Sequence, residues 1–523
     1  MSAADDAQSG ALRRQAEGHA NRKEWPQAIA AFEALLARRP DDVRAPVQLS
    51  YLHSLEGRYR IAREYALRAA ALKPRDVEIV RELVARLRTF NAAGALDALV
   101  RAQGPLDRVP IPVLLACAAQ YSSLNEQERA LALLDEAKRG DPDFPPMRLV
   151  RSQVLVYLGR FDEAEEDARA AVRRAPEIAQ GWWLLARMRK QTPEANVVDA
   201  LRRELQRPGR RPAEIAQLAE ALHKALDDLG DVEGAWSALE LMCRTKRATL
   251  DYRAQDSRDL VDDLIAMPAG AVAPMPESGT RTPIFIVGMH RSGTTLLEQL
   301  LDGHPDVRGV GELYDFTSQM RLATDHHCRG VIDRTIVARA ADVDFAAVGA
   351  GYLRDMEWRL GAERCFTDKL PSNFLNLGFI ARALPHAKLL HMVRDPVETC
   401  FSNLRELFSD ANAYSYDQAE LADFHHQYRR LMAHWHAAYP GRILDVDYAA
   451  LTRDPEPVLR EVAAFCGLSF DPGMLAMEQR KRGVATASAV QVRNKVEARE
   501  TPKWAPYGHY LEPLMRALGR DAG

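Results

Sequence analysis

The rhythm of apolar positions changes once along this chain. From residue 11 to about residue 250 they recur at helical spacing in stretches rich in Ala, Leu, Arg and Glu, which predicts amphipathic helices. The stretches are themselves periodic. Pro40, Pro74, Pro142 and Pro176 stand at intervals of 34, 68 and 34 residues. Trp25, Tyr59 and Phe161 sit just before the second helix of a unit. Ala28, Ala62, Ala130 and Ala164 recur where that helix packs closely on the first, and Gly57 and Gly159 mark the turn between the two. The unit ending near Arg108 lacks its proline, with Pro105 and Pro110 displaced around it. A further pair is predicted over residues 213–246, where Leu229-Gly230-Asp231 precedes Ala235-Trp236. The pattern predicts about six antiparallel helical pairs. Over residues 267–282 proline and glycine interrupt the periodicity, which predicts a linker.

Beyond the linker the apolar runs are short and β-prone. Residues 284–287 form one; Gly288 turns the chain, and Leu296, Leu297, Leu300 and Leu301 resume at helical spacing after Gly293. This predicts strand, loop and helix. Further strands are predicted over residues 388–393 and 442–448, separated by helical stretches. The alternation implies a mostly parallel sheet with helices on both faces, which binds ligands at the carboxyl ends of its strands. The loop after Val287, together with Glu312, Arg394 and Tyr448, would lie along that edge. The expected fold is an N-terminal all-α solenoid over 11–250 followed by a phosphate-loop-like α/β domain over 283–515.

The loop Gly288-x-x-x-x-Gly293-Thr294-Thr295 has the spacing of a phosphate-cradling loop, with threonine where a lysine would stand. Its glycines let backbone N–H groups converge on an anion, and the following helix adds its positive dipole end. A nucleoside triphosphate usually asks such a loop for a lysine and a metal ion. Arg291 is the cation within this loop, and Ser292, Thr294 and Thr295 supply hydroxyls, a set suited to a less charged phosphosulfate. A sulfuryl donor is therefore expected, without a metal.

Arg291-Ser292-Gly293-Thr294-Thr295-Leu296, followed by Leu301-Asp302-Gly303-His304-Pro305-Asp306-Val307, resembles the 5′-phosphosulfate loop of sulfotransferases. The likeness runs over roughly residues 280–515. It is closest to tyrosylprotein sulfotransferases and to bacterial proteins that join tetratricopeptide repeats to a sulfotransferase domain. The period of about 34 residues is that of tetratricopeptide repeats. The resemblance implies 3′-phosphoadenosine 5′-phosphosulfate (PAPS) as donor and adenosine 3′,5′-bisphosphate as product. It implies Glu312 as general base, Lys369 and Ser488 as transition-state stabilisers, and Arg394 and Ser402 as the 3′-phosphate site. Tyr448 and Lys503 would complete the donor contacts with Arg291, Ser292, Gly293, Thr294 and Thr295. The family commonly carries an arginine four residues after the serine, where Glu406 stands here; Arg405 beside it points about 100° away on a helix. The family's internal lysine in the closing segment falls at Asn494, with Lys495 displaced by one.

Composition narrows the partners. With 47% hydrophobic and 27% charged residues and a formal net charge of −3, the chain reads as globular, without the basic excess of a nucleic-acid or membrane binder. The six cysteines are scattered with no C-x-x-C pair, so neither a zinc site nor a disulfide framework is expected. Met1-Ser2-Ala3-Ala4-Asp5-Asp6-Ala7-Gln8 lacks a basic-then-apolar leader, and no apolar run has spanning length. The expected compartment is the cytoplasm, unlike that of the membrane-anchored animal enzymes. Trp182 and Trp183 read as packing between repeats, and Arg202, Arg203, Arg207, Arg210 and Arg211 as a solvated face. His290 and His304 fit the role of base less well than Glu312. The apolar helix face Leu421, Phe424, Tyr428, Leu431, Met432 and Trp435 leaves His425 and His436 largely off it, so the histidines there suggest no metal. Solenoids of this kind often bind a peptide or protein on the concave face. The acceptor stays open among peptide tyrosine, saccharide and small metabolite. The competing readings are a phosphate-loop phosphotransferase, or a repeat-based adaptor with a nucleotide-binding domain.

Overall fold

The computed structural model describes residues 3–476 and 501–520, apart from 269, 271, 276 and 278. The first half is a run of helical pairs. They comprise Ala3–Asn21 with Trp25–Arg38, Arg44–Leu55 with Tyr59–Ala71, Val77–Thr89 with Ala93–Ala102, and Ile111–Ser123 with Gln127–Gly140. Pro145–Leu158 with Phe161–Arg174, Ala179–Met188 with Val198–Leu205, and Pro212–Leu229 with Val232–Arg247 complete them. The described residues thus hold seven pairs where the sequence pattern counts about six, the added pair being Ala179–Met188 with Val198–Leu205, and the proline-poor third unit keeps both its helices.

The reason it keeps them lies in the turns. Lys23, Gly57, Asn91, Asn125 and Gly159 all have positive φ, between 50° and 76°, and follow one another every 34 residues. A helix that reverses sharply needs one left-handed residue after its last turn, which glycine supplies freely and asparagine tolerates. Three of the five turns therefore carry no glycine to advertise them. The predicted alanines Ala28, Ala62, Ala130 and Ala164 are fully buried, and Leu96 fills the same register in the third unit. The hydroxyls of Ser50 and Ser152 donate to the carbonyls of Ala62 and Ala164 at 2.6 and 2.8 Å, an approach that a larger side chain would obstruct.

The second architecture is a five-stranded, all-parallel sheet of order β2-β3-β1-β4-β5. Its strands are β1 (Thr282–Gly288), β2 (Val307–Arg308), β3 (Cys365–Asp368), β4 (Lys388–Val393) and β5 (Ile443–Asp447). One face packs Ile284, Ile286, Leu390, Met392 and Val446 on Leu297, Leu300 and Leu301 and on Leu459, Val462 and Ala463. On the other face Phe285 and Phe366 meet Tyr352. Burial on both sides explains why β1 reads as a continuous apolar run.

The chain divides into two compact units, and the boundary falls inside the repeats. One unit comprises Met1–Pro142 with Tyr314–Cys328 and Ala338–Val343; the other comprises Asp143–Leu313, Arg329–Val337 and Asp344–Gly523. In the first, Arg60 donates from its backbone to Asp325 (2.7 Å) and from Nε to the Leu322 carbonyl (2.7 Å). In the second, the last three helical pairs share a unit with the sheet. No helix among the described residues is long and apolar enough to cross a membrane.

Candidate functional site

The strand order lays the expected site residues in a row. Glu312 follows β2, Lys369 follows β3, the loop of residues 289–293 follows β1, Arg394 follows β4 and Tyr448 follows β5. The sheet reverses its winding at β1, flanked by β3 and β4, and that is where such a sheet opens a crevice for a ligand.

The loop after β1 is built by backbone conformation. Gly288 (φ 152°), Arg291 (φ 67°) and Gly293 (φ 107°) all lie in the positive-φ region. A Cβ on Gly293 would fall 2.4 Å from the Tyr448 ring, and one on Gly288 would fall 2.8 Å from the Met392 carbonyl. The helix Thr294–Leu301 starts directly after the loop, with Thr294 and Thr295 buried in its first turn. Ser292 is 1% exposed, and its Oγ is buried without a hydrogen-bond partner. A buried hydroxyl in a glycine-framed loop ahead of a helix N-terminus has an unmet bonding capacity of the kind an oxyanion would fill.

Arg291 turns its Nε to Ser402 Oγ at 3.3 Å, and burial lowers its pKa. Arg394 donates from NH1 to the Arg291 carbonyl at 3.0 Å, stacks over the Tyr448 ring at 4.4 Å and pairs with Glu398. Four expected donor residues, Arg291, Arg394, Ser402 and Tyr448, are thus brought into one contact group. Asn403, on the same helix as Ser402, donates to the His290 carbonyl at 2.7 Å and secures the loop from that side.

Lys369 and Glu312 form the second group. Lys369 Nζ donates to Glu312 Oε1 at 2.6 Å, with the lysine side chain fully buried and the glutamate 36% exposed. The turn before Glu312 is pinned by Glu298 from the loop helix, whose Oε1 accepts from Gly311 N and Thr367 Oγ1, both at 2.8 Å. Sequence reasoning missed Glu298 because a glutamate on a helix reads as solvated, yet it is 2% exposed. His290 lies in the field of both Glu312 and Lys369, and burial lowers its pKa to about 4. It is therefore neutral near pH 7. His304 is spent on structure, receiving from Asp306 N at Nδ1 and meeting the Ser469 carbonyl through Nε2.

Arg405 does not replace the missing family arginine. Its Nε donates to His223 Nε2 at 2.9 Å and its NH2 to Asp227 at 2.5 Å, both on the repeat helix Pro212–Leu229. Glu406 is 8% exposed, accepts from Arg187 NH2 at 3.0 Å and faces Arg291 NH1 at 3.7 Å. Lys503 is exposed ahead of the segment Ala505–Leu511, and Ser488, Asn494 and Lys495 lie outside the described residues. Among the other residues singled out, Trp182 Nε1 donates to the Pro176 carbonyl and the Trp183 ring carries Arg187 at 4.8 Å. Arg207 and Arg210 pair with Glu204, and Arg211 with Glu214. His425 is buried, contrary to its expected place off the apolar face. His436 and His391 both reach Asp445 Oδ1, at 2.9 and 2.7 Å. The three ligating atoms lie within 4.8 Å of one another, a set invisible while the histidines of a single helix are considered alone.

A family model described as the sulfotransferase family matches residues 283–472. Those residues are similar to the sulfotransferase family. The match begins one residue into β1 and takes in the phosphate loop, Glu312, Lys369, Arg394, Ser402 and Tyr448. An uncharacterized protein of Aquifex aeolicus is 28% identical over 404 residues, covering 75% of this chain, which spans about half (53%) of that protein's length. A putative protein-tyrosine sulfotransferase of Caenorhabditis briggsae is 26% identical over 241 residues, covering 45% of this chain and 84% of that protein. Among solved structures, the sulfotransferase domain from the Synechococcus PCC 7002 olefin synthase aligns with 48% of this chain and 98% of its own, at 20% identity and a TM-score of 0.29. The matched residues follow an array of helical repeats in the chain.

Proposed function

We propose that the domain over residues 283–515 moves a sulfuryl group from PAPS to an acceptor hydroxyl, leaving adenosine 3′,5′-bisphosphate, with no metal required. The observation that carries this reading is the Lys369–Glu312 pair at 2.6 Å, set at the ends of β3 and β2 beside a phosphate loop that lacks a lysine. The donor supplies an activated sulfur and a stable bisphosphate leaving group. The loop's buried Ser292 hydroxyl, its Arg291 cation and the first turn of the helix at Thr294 and Thr295 suit the 5′ end of such a donor. Arg394, stacked on Tyr448 beside Ser402, suits its 3′-phosphate, which would exchange with Glu398 for the guanidinium fork. Glu312 takes the acceptor proton, and Lys369 places its charge where negative charge grows on the departing oxygen. Ser488 and Lys503 keep their roles as second stabiliser and phosphate contact within the proposal.

A peptide tyrosine, a saccharide or a small phenol each offers the required hydroxyl. An array of helical pairs supports a peptide or protein partner, and the proposed compartment is the cytoplasm. Transfer of radiolabelled sulfate from the donor to a panel of the three acceptor classes tests the reading. Labelled product formed without divalent metal, and lost in Glu312→Gln, is expected. Phosphorylation of the same acceptors by ATP with magnesium would replace the reading with a phosphotransferase.

A further inference from the structure

Directly after the helix Pro396–Leu404, Arg405 and Glu406 meet the last repeat pairs at two charged points, and the one at Glu406 also faces Arg291 of the loop after β1. Glu406 is buried with a cation on each oxygen: Arg187 NH2 at 3.0 Å on Oε1 and Arg291 NH1 at 3.7 Å on Oε2. Arg187 belongs to the repeat helix Ala179–Met188, its other fork nitrogen pairs with buried Glu220, and its guanidinium lies over Trp183. Burial opposes its charge, but Glu220 and Glu406 outweigh that and raise its pKa. The four groups form a buried row of alternating sign, Glu220, Arg187, Glu406 and Arg291. The resemblance places an arginine at the position of Glu406. Here the position carries a carboxylate, and a repeat helix supplies the arginine opposite it.

We propose that Arg187 is a positioning residue of the transferase: by holding Glu406, it keeps that carboxylate from capturing Arg291, so that Arg291 stays on Ser402 where it can meet the donor. The difference between the two contacts supports the assignment. Glu406 makes a hydrogen bond to Arg187 and only a looser ion pair to Arg291, whose Nε remains on Ser402 Oγ. A buried carboxylate deprived of Arg187 must draw its remaining cation closer, because an uncompensated buried charge is far costlier than a shifted side chain. Arg291 would then leave Ser402. A second repeat side chain faces the same place: Tyr157, on Pro145–Leu158, lies in the electrostatic field of Arg187, Glu312 and Glu406. The second contact point, Arg405 on His223 and Asp227 with Tyr507 donating to Asp227 at 2.6 Å, fixes the frame in which this row is held. The last repeat pairs are thus part of the transferase machinery in addition to any partner they bind.

This inference rests on the donor reading above, and its test separates the two. The affinity of the full chain for adenosine 3′,5′-bisphosphate is measured by calorimetry for the wild type, Arg187→Met, Arg187→Lys, Glu406→Gln and the double variant Arg187→Met/Glu406→Gln, with unfolding curves for each. Arg187→Met should weaken binding about tenfold, and adding Glu406→Gln should restore it to within about threefold, because a neutral amide at position 406 no longer captures Arg291. A purely structural Arg187 would not be rescued by changing its partner. If Arg187→Met does not fold, Arg187→Lys decides: it keeps the cation that holds Glu406, so an affinity within about threefold of wild type is expected, and a tenfold loss in the folded variant overturns the proposal. Unchanged affinity in a folded Arg187→Met, or a double variant no better than the single one, overturns it as well. A wild-type chain that binds no bisphosphate instead overturns the donor reading itself.

Discussion

The repeat pairs on either side of Pro142 share one plan and bury different things. Before Pro142, the buried polar side chains among the described repeats are Ser9, Ser50, His53, Arg86, Gln120 and Gln127, with no carboxylate among them. After Pro142, Asp167, Glu204 and Glu220 are all buried, each against arginine. A carboxylate is taken out of water only against a well-placed cation, and losing one partner leaves a costly orphan. The first set of pairs is held by close alanine packing and left-handed turns; the second is held in addition by ion pairs, and the one at Glu220 continues through Arg187 to Glu406. Repeats alike in period thus differ in what holds them together.

The largest expected effect is on the chemistry. Glu312→Gln retains an acceptor for Lys369 but no base, so transfer should fall about 10²–10⁴-fold while bisphosphate affinity changes little; undiminished turnover would remove Glu312 from the role. Next in size, Asp167→Ala removes the buried carboxylate that Arg148 and Arg151 share and should cost about 3–5 kcal/mol in denaturant unfolding. Glu78→Ala, before Pro142, breaks only the exposed pair with Arg81 and should cost no more than about 1 kcal/mol. Equal losses would erase the contrast between the two sets. Below the Asp167 effect, Gly159→Ala forces a Cβ into φ 76° and should cost about 1–2 kcal/mol, whereas Asn125→Gly at φ 63° should be neutral or stabilising in the same assay.

Acid should also act on the second unit. His223, His290 and His425 have pKa values lowered to about 4, with burial the main cause in each. Between that value and the ordinary histidine range the unfolded chain binds more protons than the folded one, so stability rises with pH across the window and is lost on acidification from about 6.5 towards 4. Replacing His425 by Gln should flatten the dependence of the unfolding midpoint on pH over that window; an unchanged slope would contradict the assignment.

Much of this was legible in the chain. The 34-residue period shows because Pro, Gly and Ala at fixed offsets perform fixed steric tasks, and β1 with its loop shows because a twice-buried strand before a glycine turn has few other readings. The left-handed turns at Lys23, Asn91 and Asn125 were not legible, since a non-glycine residue gives no sign of its φ. Nor was β3, whose four residues are too short to show a period. Arg187, Glu220, Glu298 and Glu406 share a deeper obstacle: a charged residue on a helix usually faces water, and their burial is decided by partners distant in sequence. The direction of Arg405 was half legible, as helical geometry turned it away from the donor while its partners, His223 and Asp227, lay in another element.

The central claim is that the edge running from Glu312 to Tyr448 receives a 3′-phosphorylated sulfuryl donor. Calorimetric titration of the full chain with adenosine 3′,5′-bisphosphate, beside ATP with magnesium, tests it most directly. The account predicts metal-free binding of the bisphosphate that is strongly weakened in Arg394→Ala; binding of ATP with magnesium alone, or a bisphosphate affinity indifferent to Arg394, would contradict it.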